Sequence, residues 1–176
     1  GNFGLISLTS KTPVAWTEST VSLIEEISEL VGLVIREARV RKRLHRSETL
    51  FRQFSENVQV VIWITDLEKN EIVYINPAYE KIWGRPIPGL YKEPKSFLDA
   101  IHPEDRPRVI AAIAGQAEGK YEEIYRVVQP DGNLRWVRDR AFPVREKDGS
   151  VSRVVGIAED ITDLREAQRK LESTQA

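Results

Sequence analysis

The chain predicts an α+β fold, an antiparallel sheet with short helices over one face, entered and left by helices. Three observations carry this. From Val58 onward, short runs of alternating apolar residues mark strands, with helical segments between the second and the third. Asp131-Gly132 and Asp148-Gly149 separate the later strands, and Asp-Gly sets hairpin turns. Upstream, no proline occurs between Pro13 and Pro77, and apolar residues recur every three or four positions, which marks a long helix.

Taken in order, Phe3 to Thr9 is a β-rich apolar stretch turned by Lys11-Thr12-Pro13. One strand does not fold alone, so this stretch reads as the last strand of a domain lying upstream. A helix then runs from about Thr17 to about Glu56, with Thr17 as cap and Glu18 against the helix dipole. Leu23, Ile24, Ile27, Leu30, Val31, Val34, Ile35 and Ala38 form its stripe, which thins to Leu44, Leu50, Phe51 and Phe54. Unbroken, about 38 residues span about 57 Å, the length of a coiled-coil connector. The alternative is two helices broken near Arg43 to Ser47.

Val60 to Thr65 and Glu71 to Ile75 are the first strands, joined by the Glu68-Lys69-Asn70 turn. Asn76 is placed to cap the next helix, with Pro77 in its first turn and Gly84 at its end. Arg85 to Lys95 reads as a Pro- and Gly-rich loop suited to gating. Ser96 to Ile101 is a helical turn, and His102-Pro103-Glu104-Asp105 opens a helix buried through Val109, Ile110, Ile113 and Ala114. The last strands are Tyr121 to Val128, Leu134 to Val144 and Val151 to Ala158. Asp163-Leu164-Arg165-Glu166 has the form of a capping box opening the exit helix.

Composition removes several function classes. Lys plus Arg number 26 against Asp plus Glu 27, a formal charge of -1, so the chain is not a wholesale nucleic-acid neutraliser. Arg36, Arg39, Arg41, Lys42, Arg43 and Arg46 cluster on the connector without interleaved aromatics and read as a solvated helix face. With no Cys there is no disulfide, thiolate metal site or thiol chemistry. His45 and His102 are too far apart in sequence for a zinc pair. No paired carboxylates, phosphate loop or nucleophile motif points to catalysis. No apolar run spans a membrane and no secretory signal is present. The chain has no Met, so it is expected to be a fragment of a longer protein or a processed product.

Several motifs in order carry a resemblance. Ile75-Asn76-Pro77-Ala78-Tyr79 is followed by Ile101-His102-Pro103-Glu104-Asp105-Arg106. Then come Tyr125-Arg126, Pro130-Asp131-Gly132, Arg135-Trp136-Val137 and Gly156 to Thr162. The stretch 58–162 resembles a PAS domain with its PAC segment. Residues 1–40 look like the final strand and helix of a GAF domain, 41–57 are a connector, and 163–176 begin an output linker. The resemblance implies a five-stranded antiparallel sheet around a small pocket, in a cytoplasmic bacterial signalling protein. The implied partners are a second copy, through the connector and exit helices, and an output domain in the same chain. A histidine kinase or a diguanylate cyclase is the expected output. The fragment itself is regulatory and not enzymatic, with no nucleic-acid or membrane partner. A ligand-free dimerisation module and a flavin-binding redox sensor are the other readings the resemblance admits.

For a cofactor, the absence of Cys excludes cysteinyl-flavin photochemistry. Haem is disfavoured, because His102 stands at a helix entrance beside Pro103, where capping suits it better. A small metabolite, or no ligand, remains. Candidate pocket residues are Ile62, Ile64, Tyr79, Trp83, Phe97, Ile113, Tyr125, Val127 and Ile157, each better suited to plain core than to ligand contact. Alternation alone does not say which sheet face is inner. Asp160 and Thr162 sit where the last strand becomes the exit helix. A regular hairpin brings Asp160 near Arg135, Trp136 and, diagonally, Arg138. This contact either couples sheet strain to the exit helix or is a static helix start.

Overall fold

The computed structural model describes residues 17–174. The expected strand at Phe3 to Thr9 lies outside them. The chain divides into two compact units, Gly1–Arg52 and Gln53–Ala176.

The described part of the first unit is helix α1, Glu18–Asn57, whose last turn belongs to the second unit. The Thr17 hydroxyl accepts from the Thr20 N–H at 3.3 Å, the cap its position predicts. The helix runs through Arg43 to Ser47 without a break, as a stretch free of Pro and Gly allows. Leu23, Ile27, Leu30 and Val34 of the apolar stripe are exposed. Arg41 pairs with Glu37 at 2.7 Å one turn back.

The second unit is built on one five-stranded sheet in the order β2-β1-β5-β4-β3. Its strands are β1 (Val61–Asp66), β2 (Glu71–Ile75), β3 (Tyr121–Val128), β4 (Leu134–Arg145) and β5 (Val151–Asp160), and every pairing is antiparallel. The two Asp-Gly hairpins form as predicted, with Gly132 and Gly149 at φ +87° and +86°, where a side chain would be strained. Three helices lie in the β2–β3 connection, α2 (Ala78–Trp83), α3 (Ile87–Lys92) and α4 (Arg106–Ile113). The exit helix α5 is Thr162–Thr174.

The inner face carries Val61 and Trp63 of β1, Tyr121, Tyr125 and Val127 of β3, Val137, Asp139 and Ala141 of β4, and Val154, Gly156 and Ala158 of β5. Val61, Tyr125, Val127, Val137 and Ala158 pack on Tyr79, Ile82, Trp83, Leu90, Ile101 and Val109 from the helical side, and Tyr121, Ala141 and Val154 on Leu67, Ala112 and Ile113. Ile62, Ile64 and Ile157 therefore stand on the opposite face, contrary to their selection as pocket residues. Both alternating sets of β1 are apolar, so the choice of face is made by the distant helices and not by the strand.

Four local expectations are also corrected. Asn76 does not cap α2; its side chain turns into the core, and Pro77 takes the cap position without a side-chain bond. Arg85 to Lys95 is not an irregular loop but contains α3. His102 to Asp105 is a turn ahead of α4, and the Asp105 carboxylate leaves the helix end for Arg126. Asp160, and not Asp163, meets the first N–H of α5, through a 2.9 Å bond from Thr162.

Candidate functional site: an aromatic cavity and a strand-to-helix junction

The sheet and the helices over it form a partly open cavity of about 150 Å³. Its walls are apolar and aromatic. Trp63 and Val61 come from β1, Ile75 from β2, Tyr79 and Trp83 from α2, Leu90 from α3, Ile113 from α4 and Tyr125 from β3. Phe97 closes it from the turn before Ile101. Tyr79 and Trp83, one helical turn apart, stack with centroids 5.1 Å apart. Of the nine residues the sequence proposed, Tyr79, Trp83, Phe97, Ile113 and Tyr125 line this space. Val127 shares the buried face without lining it.

Sequence reasoning missed Trp63 and Asp139. Asp139 lines the cavity and is only 4% exposed. It accepts from Trp63 Nε1 at 3.2 Å and from the hydroxyls of Tyr121 and Tyr125 at 3.0 Å each. The available signal was its phase. It follows Val137 and precedes Ala141 in one alternation, so an acid falls on the apolar side of β4.

Burial pushes the Asp139 carboxyl up from 3.8 to about 6, against the pull of its three donors. Burial also raises the Tyr79 hydroxyl to about 12 and the Tyr121 and Tyr125 hydroxyls higher still, so all three remain protonated. The raised carboxyl sets a sign. Between about pH 4 and 6 the folded chain holds a proton that the unfolded chain has lost, so stability falls as pH rises through that window. The difference in urea unfolding free energy between wild type and Asp139→Asn is expected to shift by about 2 kcal/mol from pH 4.5 to 7.5. A constant difference would overturn the assignment. Asp105 works oppositely and elsewhere. Its hydrogen bond from Arg126 holds it at about 2, so its contribution is lost only below its ordinary 3.8.

The second feature is the junction of β5 and α5. Asp160 stands opposite Val137 in the β4–β5 register. Thr162 donates its N–H to Asp160 and accepts from the Trp136 N–H at 2.9 Å, while the Ile161 N–H donates to the Trp136 carbonyl at 2.8 Å. Arg135 reaches Asp160 at 3.5 Å. Arg138 does not take part; it stands opposite Glu159 and bonds Glu122 instead. The sequence did not reveal how the Trp136 ring is held. The guanidiniums of Arg165 and Arg169 of α5 lie 4.5 Å and 5.9 Å from its centroid, and Arg126 of β3 lies at 5.6 Å. Arg126 is itself fixed by Asp105 at 2.8 Å and Glu104 at 2.7 Å. The turn before α4, strand β3 and helix α5 thus meet at one indole.

A five-stranded antiparallel sheet in this order, with helices closing a small cavity and a helix leaving β5, defines a sensor-type domain of the PAS fold. Residues 72–158 match the family model for that fold, and the chain belongs to the PAS-fold family. A solved domain of a proposed light and redox sensing histidine kinase from Haloarcula marismortui is 32% identical. That match has a TM-score of 0.53 and covers 65% of this chain and 99% of that one. The N-terminal domain of a diguanylate cyclase with PAS/PAC sensor from Marinobacter aquaeolei is 28% identical, with a TM-score of 0.54, covering 60% of this chain and 98% of that one. The methanogenesis regulatory histidine kinase FilI of Methanothrix harundinacea is 27% identical over 90% of this chain and 17% of the kinase. The chain spans 14% to 17% of the length of the first curated relatives it matches.

Haem finds no histidine ligand in this cavity. A cavity of about 150 Å³ admits a benzene-sized molecule. Among the described residues no group of three or more metal-ligating side chains occurs. No described helix is long and apolar enough to cross a membrane.

Proposed function

We propose that this chain is the sensing and relay segment of a larger cytoplasmic signalling protein. A small molecule in the aromatic cavity changes the sheet, and α5 passes the change to an output domain. That output is a histidine kinase or a diguanylate cyclase, the classes its relatives represent. The supporting observation is that β4 serves both sites. Its inward Asp139 touches the cavity, and its outward Trp136, three residues earlier, holds α5. A shift of β4 driven from the cavity reaches α5 without an intermediate element. Such a relay works only if the ligand binds the two sheet geometries with different affinity.

The exposed stripe of α1 supports a parallel homodimer through the connector, with residues 1–40 as the end of a GAF-like domain and 163–176 as the start of the output linker. A static contact and a relay differ in one respect. Thr162→Val removes both the acceptor for the Trp136 N–H and the hydroxyl donated to Asp160, and is expected to cost about 2 kcal/mol of stability. If the junction relays, amide exchange in α5 rises well beyond what that loss explains, and the output activity of the full-length protein stops responding to ligand. Unchanged exchange and unchanged regulation would reduce the junction to a helix start and refute the relay.

A further inference from the structure

Asp139 has no counter-charge. Its three partners, Trp63, Tyr121 and Tyr125, are neutral donors, and no ion pair among the described residues involves it. A carboxylate has about four acceptor positions, so roughly one remains. Burying such a charge without a cation is costly, and the cost is relieved by whatever positive group enters beside it. The space beside it is walled by aromatic rings, the surface to which desolvated organic cations are drawn. A second polar group there is also unmatched. The buried Trp83 Nε1–H has no hydrogen-bond partner among the described residues, and its ring lines the same cavity. An entering molecule that also carries an oxygen would answer it.

The other charged groups around Asp139 do not supply the missing cation. Glu123 stands opposite it in the β3–β4 register and is ion-paired to Arg108 of α4. Lys95 lines the cavity but is exposed to solvent. Arg85 acts on Tyr79. Ala158, its neighbour on β5, and Gln116 are uncharged.

We infer that the cavity takes a small organic cation bearing an oxygen acceptor, of the substituted-ammonium class, with its charge beside Asp139 and among the rings of Trp63, Tyr79, Trp83 and Tyr125. This rests on the sensor reading above and gives it a ligand chemistry. The size suits it, because a molecule near benzene in volume fills the space.

Calorimetric titration of the 176-residue chain with choline and with its uncharged isostere, 3,3-dimethylbutan-1-ol, separates charge from shape. At pH 7.5 choline is expected to bind at least about tenfold more tightly than the isostere. At pH 5, where Asp139 is protonated and the three tyrosines are unchanged, that preference is expected to fall to about threefold or less. Asp139→Asn is expected to lose the preference at pH 7.5, and the pH comparison on wild type stands without that variant should it misfold. Near pH 6 choline binding should release a proton, seen as a dependence of the measured heat on buffer ionisation enthalpy. Equal binding of the two probes, or a preference unaffected by pH, overturns the cation and leaves a neutral-ligand sensor. Binding of the isostere or benzene without choline does the same. Binding of none of the three overturns both this inference and the sensor reading.

Discussion

Gly156→Ala is expected to destabilise the domain by about 2–4 kcal/mol and to abolish the cavity as it now stands. Gly156 and Trp63 are directly opposed in the β1–β5 pairing. The indole lies so closely over the glycine that a Cβ there would overlap its Cε2, Cζ2 and Nε1 atoms. The ring can yield only into the cavity on its other side, and that movement breaks its Nε1 bond to Asp139. A methyl at 156 therefore either spreads β1 from β5 or expels the indole. Expulsion breaks the Trp63–Asp139 bond and leaves the buried carboxylate with its two tyrosine donors alone. Urea unfolding measures the loss, and Trp fluorescence reports the displaced ring. Gly89→Ala is the matched control, since nothing lies within 4 Å of its added Cβ and position 89 is inside α3. It is expected to be neutral or slightly stabilising. A Gly156→Ala chain within about 0.5 kcal/mol of wild type would show that the indole packs elsewhere.

That pairing also shows where sequence reading reaches and where it stops. The strands were legible because alternation and Asp-Gly turns are local. Glu71–Ile75 and Tyr121–Val128 fall where the pattern places them. The face of each strand was not legible where both alternating sets are apolar. In β1, Ile62 and Ile64 look as buried as Val61 and Trp63, and only the helices that follow β2 distinguish them. Trp63 passed unnoticed because its contact is a missing side chain on another strand. Asp139 was readable in principle, as one acid in phase with Val137 and Ala141. The helix starts misled for a different reason. Asn76, Asp105 and Asp163 all suit a cap, but Asn76 and Asp105 have stronger tertiary partners, and Asp160 reaches the first N–H of α5 ahead of Asp163.

Asn76 shows the largest such competition, and Asn76→Ala is expected to cost about 3–5 kcal/mol. The side chain is fully buried and uses three of its four hydrogen-bonding positions. Its Nδ2 donates to the carbonyls of Ser55 at 2.8 Å and Val60 at 2.9 Å, and its Oδ1 accepts from the Ile62 N–H at 2.9 Å. One amide thus joins the last turn of α1, the entry to β1 and the exit from β2. Alanine removes three bonds to backbone groups that have little access to water, which is why the expected loss exceeds that of an exposed cap. Asn76→Asp separates the two halves of the amide. It keeps the acceptor for Ile62 but turns a carboxylate toward two carbonyl oxygens, so it is expected to be no better than alanine at pH 7 and to improve on acidification. Tyr74→Phe, which removes the hydroxyl bonded to Ser55 at 2.5 Å, is expected to cost only about 1 kcal/mol. Hydrogen exchange places the loss. If Asn76 ties the connector to the sheet, the last turn of α1 loses protection in Asn76→Ala before the β4–β5 hairpin does. Loss spread evenly over the domain would make Asn76 an ordinary core residue. On the proposed relay, a signal entering by α1 would meet the sheet at this amide and leave it at Thr162. Asn76 and Thr162 are therefore the positions where stability and regulation should separate. Asn76→Ala is expected to lower the unfolding free energy with the last turn of α1 opening first, whereas Thr162→Val is expected to leave the domain folded and release only α5.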